Sequence, residues 1–182
     1  MPDRSRTSTT CDRGTDPTVG SVVDQLVQLR GVLDVMQDDL YGQRSVGVFD
    51  CSVGQQVRHV LDHVSCFLAG VESGHLDYDD RRRETTIETS RRAALEAITR
   101  LTEQMRAVDS RAFSKPATVS VLFDPDDPAS VTRSSIHREL AFVLSHTVHH
   151  NAIIEAMARM LDVTVPEAFG YAPSTVAYLD SR

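Results

Sequence analysis

The sequence has little of the positive charge that nucleic acids attract. Lysine is nearly absent, with Lys115 standing alone, and 26 acidic residues outnumber 19 basic ones, for a formal net charge of -7. No basic face and no basic stripe interleaved with aromatic residues appears along the chain. Because such a patch is the electrostatic footprint of a DNA- or RNA-binding protein, we expect no nucleic-acid partner.

Long apolar runs are also missing. No stretch approaches the roughly 20 apolar residues that are needed to cross a bilayer. The N-terminal segment has no apolar run behind its charges, as a secretion signal would have. We therefore expect no membrane partner and a cytoplasmic location.

Cysteine is scarce and irregularly placed. Cys11, Cys51 and Cys66 are odd in number and lack CxxC spacing. This pattern argues against a disulfide framework and against a zinc site made of thiolates. Reduced thiols are the simpler interpretation, and a cysteine among apolar helix positions, such as Cys66, is more often an inert core residue than a nucleophile.

What remains is the composition of one ordinary domain. The chain has 182 residues, of which 41% are hydrophobic, enough for a single core. Residues 1–20 are rich in Ser, Thr, Asp, Arg, Pro and Gly with almost nothing to bury, which predicts a disordered N-terminal tail. Residues 21–182 are predicted to form the folded domain.

Apolar residues recur at helical spacing in four long segments. The first runs over 21–42, and the second follows a candidate N-cap at Ser52 and ends near Gly74. The third starts near Glu84 and ends near Asp109, and the fourth lies within 134–161. The pattern therefore predicts four long amphipathic helices.

The period changes before the last helix. Val119, Val121 and Phe123 alternate with polar residues and then meet the turn-forming run DPDDP, which predicts a short hairpin or extended crossover. Four long helices with one lengthy connection are typical of a helical bundle. The predicted fold class is all-α, a four-helix bundle with this crossover before the last long helix.

Three histidines lie within five positions of the last helix, in the segment SHTVHHN. His146 and His150 are four residues apart, so their side chains lie on the same helix face, and that face carries the apolar seam. Burying two imidazoles in an apolar seam costs free energy unless each has a partner, and a divalent metal suits two neutral imidazoles together. The spacing therefore predicts a metal site.

The second helix offers the third ligand. A polar stripe containing His59 and His63 runs beside its apolar stripe, so both rings can face the same neighbour. We predict metal ligation by His59, His146 and His150, which leaves a position open as in catalytic zinc sites. His149 points about 60° away from His146, so it and His63 are candidates for proton transfer or for supporting the ligands.

Other interpretations remain open at this point. A single histidine on an apolar face is more often a hydrogen-bonded core residue than a ligand, and HxxxH occurs by chance in many helices. Two helices with inward-facing histidines favour the metal. Imidazole suits zinc and nickel, which we prefer, and also iron, copper and cobalt. The position after His146 is Thr147, so the glutamate of the HExxH metalloprotease motif is missing.

The chain resembles the DinB/YfiT-like family, a bacterial group of compact four-helix bundles grouped as metalloenzymes. The resemblance spans 21–179 and depends on the segments SVGQQVRHVLDHV, LSHTVHHNAII and FGYAPSTVAYL. The family's histidine on the second helix corresponds to His59, and its HxxxH pair corresponds to His146 and His150. His63 is an additional histidine one turn on, so the choice between His59 and His63 stays open.

The resemblance implies fold and site more than reaction. Some members of the family transfer low-molecular-weight thiols. One hypothesis is therefore a thiol S-transferase that acts on a small-molecule substrate. A metal-dependent hydrolase differs only in placing water at the open position. A third hypothesis is a non-catalytic binding or structural module whose metal staples two helices. We expect a homodimer under any of these.

Overall fold

The computed structural model describes residues 16–45, 49–80 and 84–182. Helices make up most of this part of the chain, and four of them are long. The helices are α1 (Pro17–Val35), α2 (Asp38–Gly42), α3 (Val53–Ser73), α4 (Thr85–Thr89), α5 (Arg91–Arg106), α6 (Ile136–Met160) and α7 (Pro173–Asp180), with a 3-10 helix at Ser110–Ser114.

The four long helices form the bundle. Helix α3 packs against α5 and α6, and α1 packs against the same two helices, so α1 and α3 lie across a diagonal of the bundle. Each long helix contributes an apolar stripe that is almost fully buried. Burial of such stripes is the main stabilising contribution in a bundle of this kind. The buried stripes include Leu26, Leu29 and Leu33 of α1, Val57, Val60 and Val64 of α3, Ile98 and Leu101 of α5, and Val143 and Ile154 of α6.

Two small sheets accompany the helices, so the chain is mostly helical and not strictly all-α as predicted. Strands β1 (Arg44–Ser45) and β2 (Cys51–Ser52) pair antiparallel. Strand β3 (His75–Asp77) pairs parallel with β4 (Pro116–Val121), which pairs antiparallel with β5 (Ser130–Ser135). Strands β4 and β5 are the hairpin predicted before the last helix. Strand β3 lies in the connection between the predicted second and third helices.

Two predicted helices are interrupted. The segment 21–42 divides after Val35 into α1 and α2, and the segment from Glu84 to Asp109 divides at Ser90 into α4 and α5. The apolar pattern did not reveal either break, because the short helices α2 and α4 also bury apolar residues, Tyr41 and Ile87. Periodicity reports which residues are buried, and it continued across each break.

Helix α1 begins earlier than predicted. It starts at Pro17, with the side chain of Asp16 accepting a hydrogen bond from Thr18 N at 2.8 Å. Val19 is buried, so 17–20 belong to the bundle instead of the predicted tail. The remainder of that predicted tail, residues 1–15, lies outside the described residues. No helix within the described ranges is both long and apolar enough to cross a bilayer.

Candidate metal centre

Helices α3 and α6 carry the histidines and are well defined at their ends. Ser52 and Gln55 form a capping box at the start of α3, with side-chain to backbone distances of 3.1 and 3.0 Å. Gly74 ends α3 in the left-handed conformation at φ 73°. Ser135 caps α6 through Arg138 N at 3.2 Å. These caps satisfy backbone groups that helix termini leave unpaired, and they fix where each histidine lies along its helix.

Helices α3 and α6 run in opposite directions, because the C-terminus of α3 leads into β3 and the N-terminus of α6 follows β5 of the same sheet. The antiparallel register brings the four histidines into two facing pairs. The ring centroids of His59 and His150 are 4.4 Å apart, and those of His63 and His146 are 3.7 Å apart. His146 and His150 are separated by 4.3 Å along α6.

Three of these rings can hold one ion. Ring nitrogens of His59, His146 and His150 that could ligate an ion all lie within 4.8 Å of one another, and the three residues are partly buried. A metal held by imidazoles lies about 2.0–2.1 Å from each nitrogen, so nitrogens bound to one ion are about 3–3.5 Å apart. Small rotations of the rings would bring the three nitrogens to this spacing. The structure thus brings together the three residues that the sequence predicted as ligands.

The His146 ring is suited to a metal in two ways. Its Nδ1 atom is buried and has no hydrogen-bond partner among the described residues. Burial, followed by the neighbouring rings of His63, His150, His59 and His149, lowers the pKa of His146 to about 2. The ring is therefore neutral at physiological pH, with a lone pair available and a buried nitrogen that lacks a partner. A metal ion would satisfy this need.

His150 is held by a side chain from α3. Its Nδ1 is 2.7 Å from Oε1 of Gln56, and Nε2 of the same amide is 3.2 Å from Sγ of Cys51. An amide oxygen only accepts hydrogen bonds, so Nδ1 of His150 carries the proton and Nε2 carries the lone pair. Gln56 lies three residues before His59 on α3, and its contact with α6 became visible only in the structure.

His63 is buried beside the three candidate ligands. Its Nδ1 donates to the backbone oxygen of His59 at 2.9 Å, and its ring stacks on His146. On the other side, the His63 ring stacks on Tyr78 with a centroid distance of 5.4 Å. The structure therefore places His63 in contact with the ligand cluster, as its predicted role in proton transfer or support requires.

Three other histidine or cysteine side chains lie outside the proposed ligand set. His149 is exposed, and its ring meets that of His150 edge-on at 5.0 Å. Cys66 is partly buried and its thiol donates to the backbone oxygen of Asp77 at 3.0 Å. His137 lies elsewhere, with Nε2 3.4 Å from Asp16.

Sequence reasoning missed two buried polar residues next to the histidines. Glu139 is fully buried and its Oε1 accepts from Ser134 and Arg138, at 2.5 and 2.8 Å. Tyr78 is buried, and burial followed by the charge of Glu139 raises its pKa, so the phenol stays protonated. Glu139 lies seven residues before His146 on one face of α6, so extending the histidine pattern by two turns would have found it.

Two clefts in the described part of the chain lie away from this cluster. One of about 640 Å³ lies between α3 and α5, lined by Arg100 and Gln104 among others. The other, of about 580 Å³, lies between α1 and the C-terminal segment, beside Gln25 and Tyr171. Neither cleft is lined by His59, His146 or His150, so the donor set and its burial indicate the centre.

No protein-family model matches the chain. One curated relative, FK506-binding protein 5 of Rhizopus delemar, is 33% identical over 108 residues, which make up 59% of this chain and 28% of that protein. The chain thus corresponds to less than a third of that relative's length.

Solved structures are similar over most of the chain. A DinB-like protein, YjoA, of Bacillus subtilis has a TM-score of 0.61 at 12% identity, covering 86% of this chain and 100% of its own. A DinB-like protein of Bacillus cereus has a TM-score of 0.58 at 14% identity, and the match covers 84% of this chain and 95% of that protein. Bacillus subtilis YfiT has a TM-score of 0.59 at 16% identity, and the match covers 90% of this chain and 94% of that protein. YfiT is described as "a probable metal-dependent hydrolase with an unusual four-helix bundle topology".

At such low identities, structural similarity speaks for the fold. All three structures match over at least 84% of this chain, so the agreement covers the bundle and not one helix pair. The chain therefore has the DinB/YfiT-like fold, which confirms at the level of the fold the resemblance carried by the motifs of its second and last long helices.

Proposed function

We propose that this protein is a metal-dependent enzyme in which His59, His146 and His150 hold one divalent ion. The observation that carries the proposal is the convergence of three ligating nitrogens within 4.8 Å across two helices. The buried, unpartnered Nδ1 of His146 supports it independently, because a buried polar atom without a partner is costly and native structures have few of them.

The donor set indicates an open site. Three neutral imidazoles leave positions on the ion for water or substrate, whereas structural zinc usually has four protein ligands. Zinc or nickel is our first expectation, and iron fits the same nitrogen donors. When bound, a divalent ion would act as a Lewis acid and lower the pKa of a water or thiol in the open position.

The residues around the ligands suit proton transfer. His63 is committed to the His59 backbone through Nδ1, so its Nε2 is the atom that can accept a proton. It lies in ring contact with His146, whereas His149 is exposed and meets only the edge of His150. We therefore assign the general base role first to His63 and second to His149.

Hydrolysis of a small-molecule substrate is the reaction that we propose. It is supported by the structural similarity to YfiT, which is described as a probable metal-dependent hydrolase. The second candidate is a thiol S-transferase that uses a low-molecular-weight thiol. Its support is the resemblance of the histidine motifs, and it needs only a thiol in place of water as the nucleophile.

Elemental analysis tests the metal centre. Protein purified without an affinity tag should contain about one divalent metal per chain after reconstitution with zinc, nickel or iron. Variants His59→Ala, His146→Ala and His150→Ala should each lose it, because each removes a third of the ligand set. The control His137→Ala removes an exposed histidine that is paired with Asp16 and should keep full occupancy. Full occupancy in the three ligand variants would refute the site.

One further variant separates His59 from His63. His63→Gln removes the histidine that is stacked on His146 and leaves the proposed ligand set unchanged, so the variant should retain about one metal per chain. Because it lacks the proposed general base, its rate of substrate hydrolysis should fall about 100-fold or more. Loss of metal from this variant, with retention in His59→Ala, would transfer the α3 ligand to His63.

A further inference from the structure

A hydrogen-bonded chain leads away from His150 into the start of α3. Gln56 lies one turn before His59 on α3, and its Oε1 reaches across to Nδ1 of His150 at 2.7 Å. At the other end of the amide, Nε2 is 3.2 Å from the sulfur of Cys51, at the N-terminal end of α3. The Gln56 side chain thus connects the two helices beside the candidate ligands.

In the structure the Gln56 amide has its N–H group towards the sulfur of Cys51 and its oxygen towards Nδ1 of His150. A carbonyl-type oxygen has no proton to give, so the hydrogen between the two groups must belong to Nδ1 of His150. The Nε2 atom of His150 is then left with its lone pair.

We infer that Gln56 is a positioning residue that holds His150 in its Nδ1-protonated tautomer and aims Nε2 at the proposed metal. The inference rests on the proposed function only for the identity of what Nε2 binds. A neutral imidazole without such a partner can carry its proton on either nitrogen, and the Nε2-protonated form cannot ligate through Nε2. A partner that fixes the tautomer of a ligating histidine commonly changes metal affinity by about 10–100-fold.

The neighbouring histidine provides an internal comparison. His63 is held in the same tautomer by a different acceptor, the backbone oxygen of His59 at 2.9 Å. A side-chain substitution at Gln56 removes the hydrogen bond to Nδ1 of His150 and leaves the hydrogen bond from Nδ1 of His63 in place. The two rings should therefore respond differently to one substitution.

The first readout is the tautomer itself. Nitrogen-15 imidazole spectra of the metal-free protein at about pH 8, above the ordinary histidine pKa, should show His150 protonated at Nδ1 in the wild type. Gln56→Leu should show His150 with its proton on Nε2 or shared between both nitrogens, while His63 keeps its proton on Nδ1. Gln56→Glu retains an acceptor oxygen and should preserve the wild-type pattern. An unchanged His150 signal in Gln56→Leu would overturn the inference.

The second readout is affinity for zinc alone, measured by competition with a chelating indicator. Gln56→Leu should bind zinc about 10–100-fold more weakly than the wild type, and Gln56→Glu should bind it at least as tightly. Gln104→Leu makes the same substitution on the exposed face of α5 and should match the wild type. Thermal unfolding of each variant verifies that the fold is retained.

The outcomes separate this inference from the proposed function. If the wild type takes up no zinc, nickel or iron, the metal centre fails, and the tautomer spectra alone decide whether Gln56 positions His150. If the wild type binds zinc and Gln56→Leu binds it equally well, the metal centre stands and the positioning role of Gln56 is refuted.

Discussion

The protonation of His146 is the residue-scale property on which the centre depends. A histidine serves as a metal ligand only when it is neutral, and free histidine is half protonated near pH 6.5. Burial, followed by four neighbouring imidazoles, lowers the pKa of His146 to about 2. The fold thus prepares a neutral donor, and it does so at the cost of stability in acid.

This depressed pKa predicts an acid-sensitive stability. Below about pH 6.5 the unfolded chain binds a proton at His146 that the folded, metal-free protein does not bind until about pH 2. The contribution of neutral His146 to the free energy of unfolding is therefore fully present above pH 6.5. It falls as the pH decreases, by at most about 1.4 kcal/mol per pH unit. Because His146 is only partly buried, solvent screening makes the real slope smaller.

Denaturant unfolding of the metal-free protein between about pH 4 and pH 7 measures that slope. His146→Gln lacks the titrating group and should show a shallower decline than the wild type. His137→Ala removes an exposed histidine and should decline as the wild type does. Equal slopes for the wild type and His146→Gln would mean that His146 is protonated in the folded state.

At the scale of the elements, long-range contacts explain what periodicity missed. Helix α1 ends at Val35, and its C-terminal carbonyl at Leu33 accepts a hydrogen bond at 2.9 Å from Nη1 of Arg91, at the start of α5. Nε of Arg91 also lies 2.6 Å from Asp38 at the start of α2. The residues that stabilise this break are 53 and 58 positions apart in the chain, so no local pattern could reveal it.

The glycines of the helices provide a matched test of packing. A Cβ at Gly54 of α3 would lie 2.0 Å from the backbone oxygen of Glu88 and 2.9 Å from the ring of Tyr41. A backbone atom cannot move aside as a flexible side chain can, so Gly54→Ala must displace α2 or α4. We expect it to lower the free energy of unfolding by about 1–3 kcal/mol.

Gly31 of α1 is the control, since a Cβ there would meet nothing within 4 Å. Gly31→Ala should raise the free energy of unfolding by about 0.5–1 kcal/mol, because alanine is the better helix former. Thermal or denaturant unfolding of both variants compares the two effects. A Gly54→Ala protein as stable as Gly31→Ala would show that α4 does not pack against α3 as described.

At the scale of the whole molecule, the long helices and the candidate pair His146 and His150 could be predicted from the sequence because both depend on local spacing. His146 and His150 share a face by helical geometry alone. The meeting of His59 with His150 depends on the register of α3 against α6, and the parallel pairing of β3 with β4 joins residues 43 positions apart. Such pairings depend on the global packing, which is why the β1–β2 and β3–β4 pairings and the contact of Gln56 with His150 were not predicted, whereas the local β4–β5 hairpin was.

The distribution of buried residues predicts how the whole molecule responds to loss of metal. The α3–α6 interface is apolar on both sides of the histidines, with Val57 and Val64 of α3 and Val143 and Ile154 of α6 fully buried. These contacts do not need an ion, so a chelator should leave the helical circular dichroism at about 25 °C unchanged. Bound metal should still add stability by mass action, about 2.7 kcal/mol when free metal is 100-fold above its Kd.

For a chain of this size, loss of that stabilisation on chelation should lower Tm by about 5–10 °C. The comparison with His146→Ala is the control, since a variant without metal should not respond to the chelator. A modest, reversible shift with the fold retained fits an open catalytic site. Cooperative loss of helix on chelation at 25 °C would instead mean that the ion holds α3 and α6 together, because structural metal sites unfold when the metal is removed. The interpretation as a non-catalytic module would then replace the proposal of an enzyme.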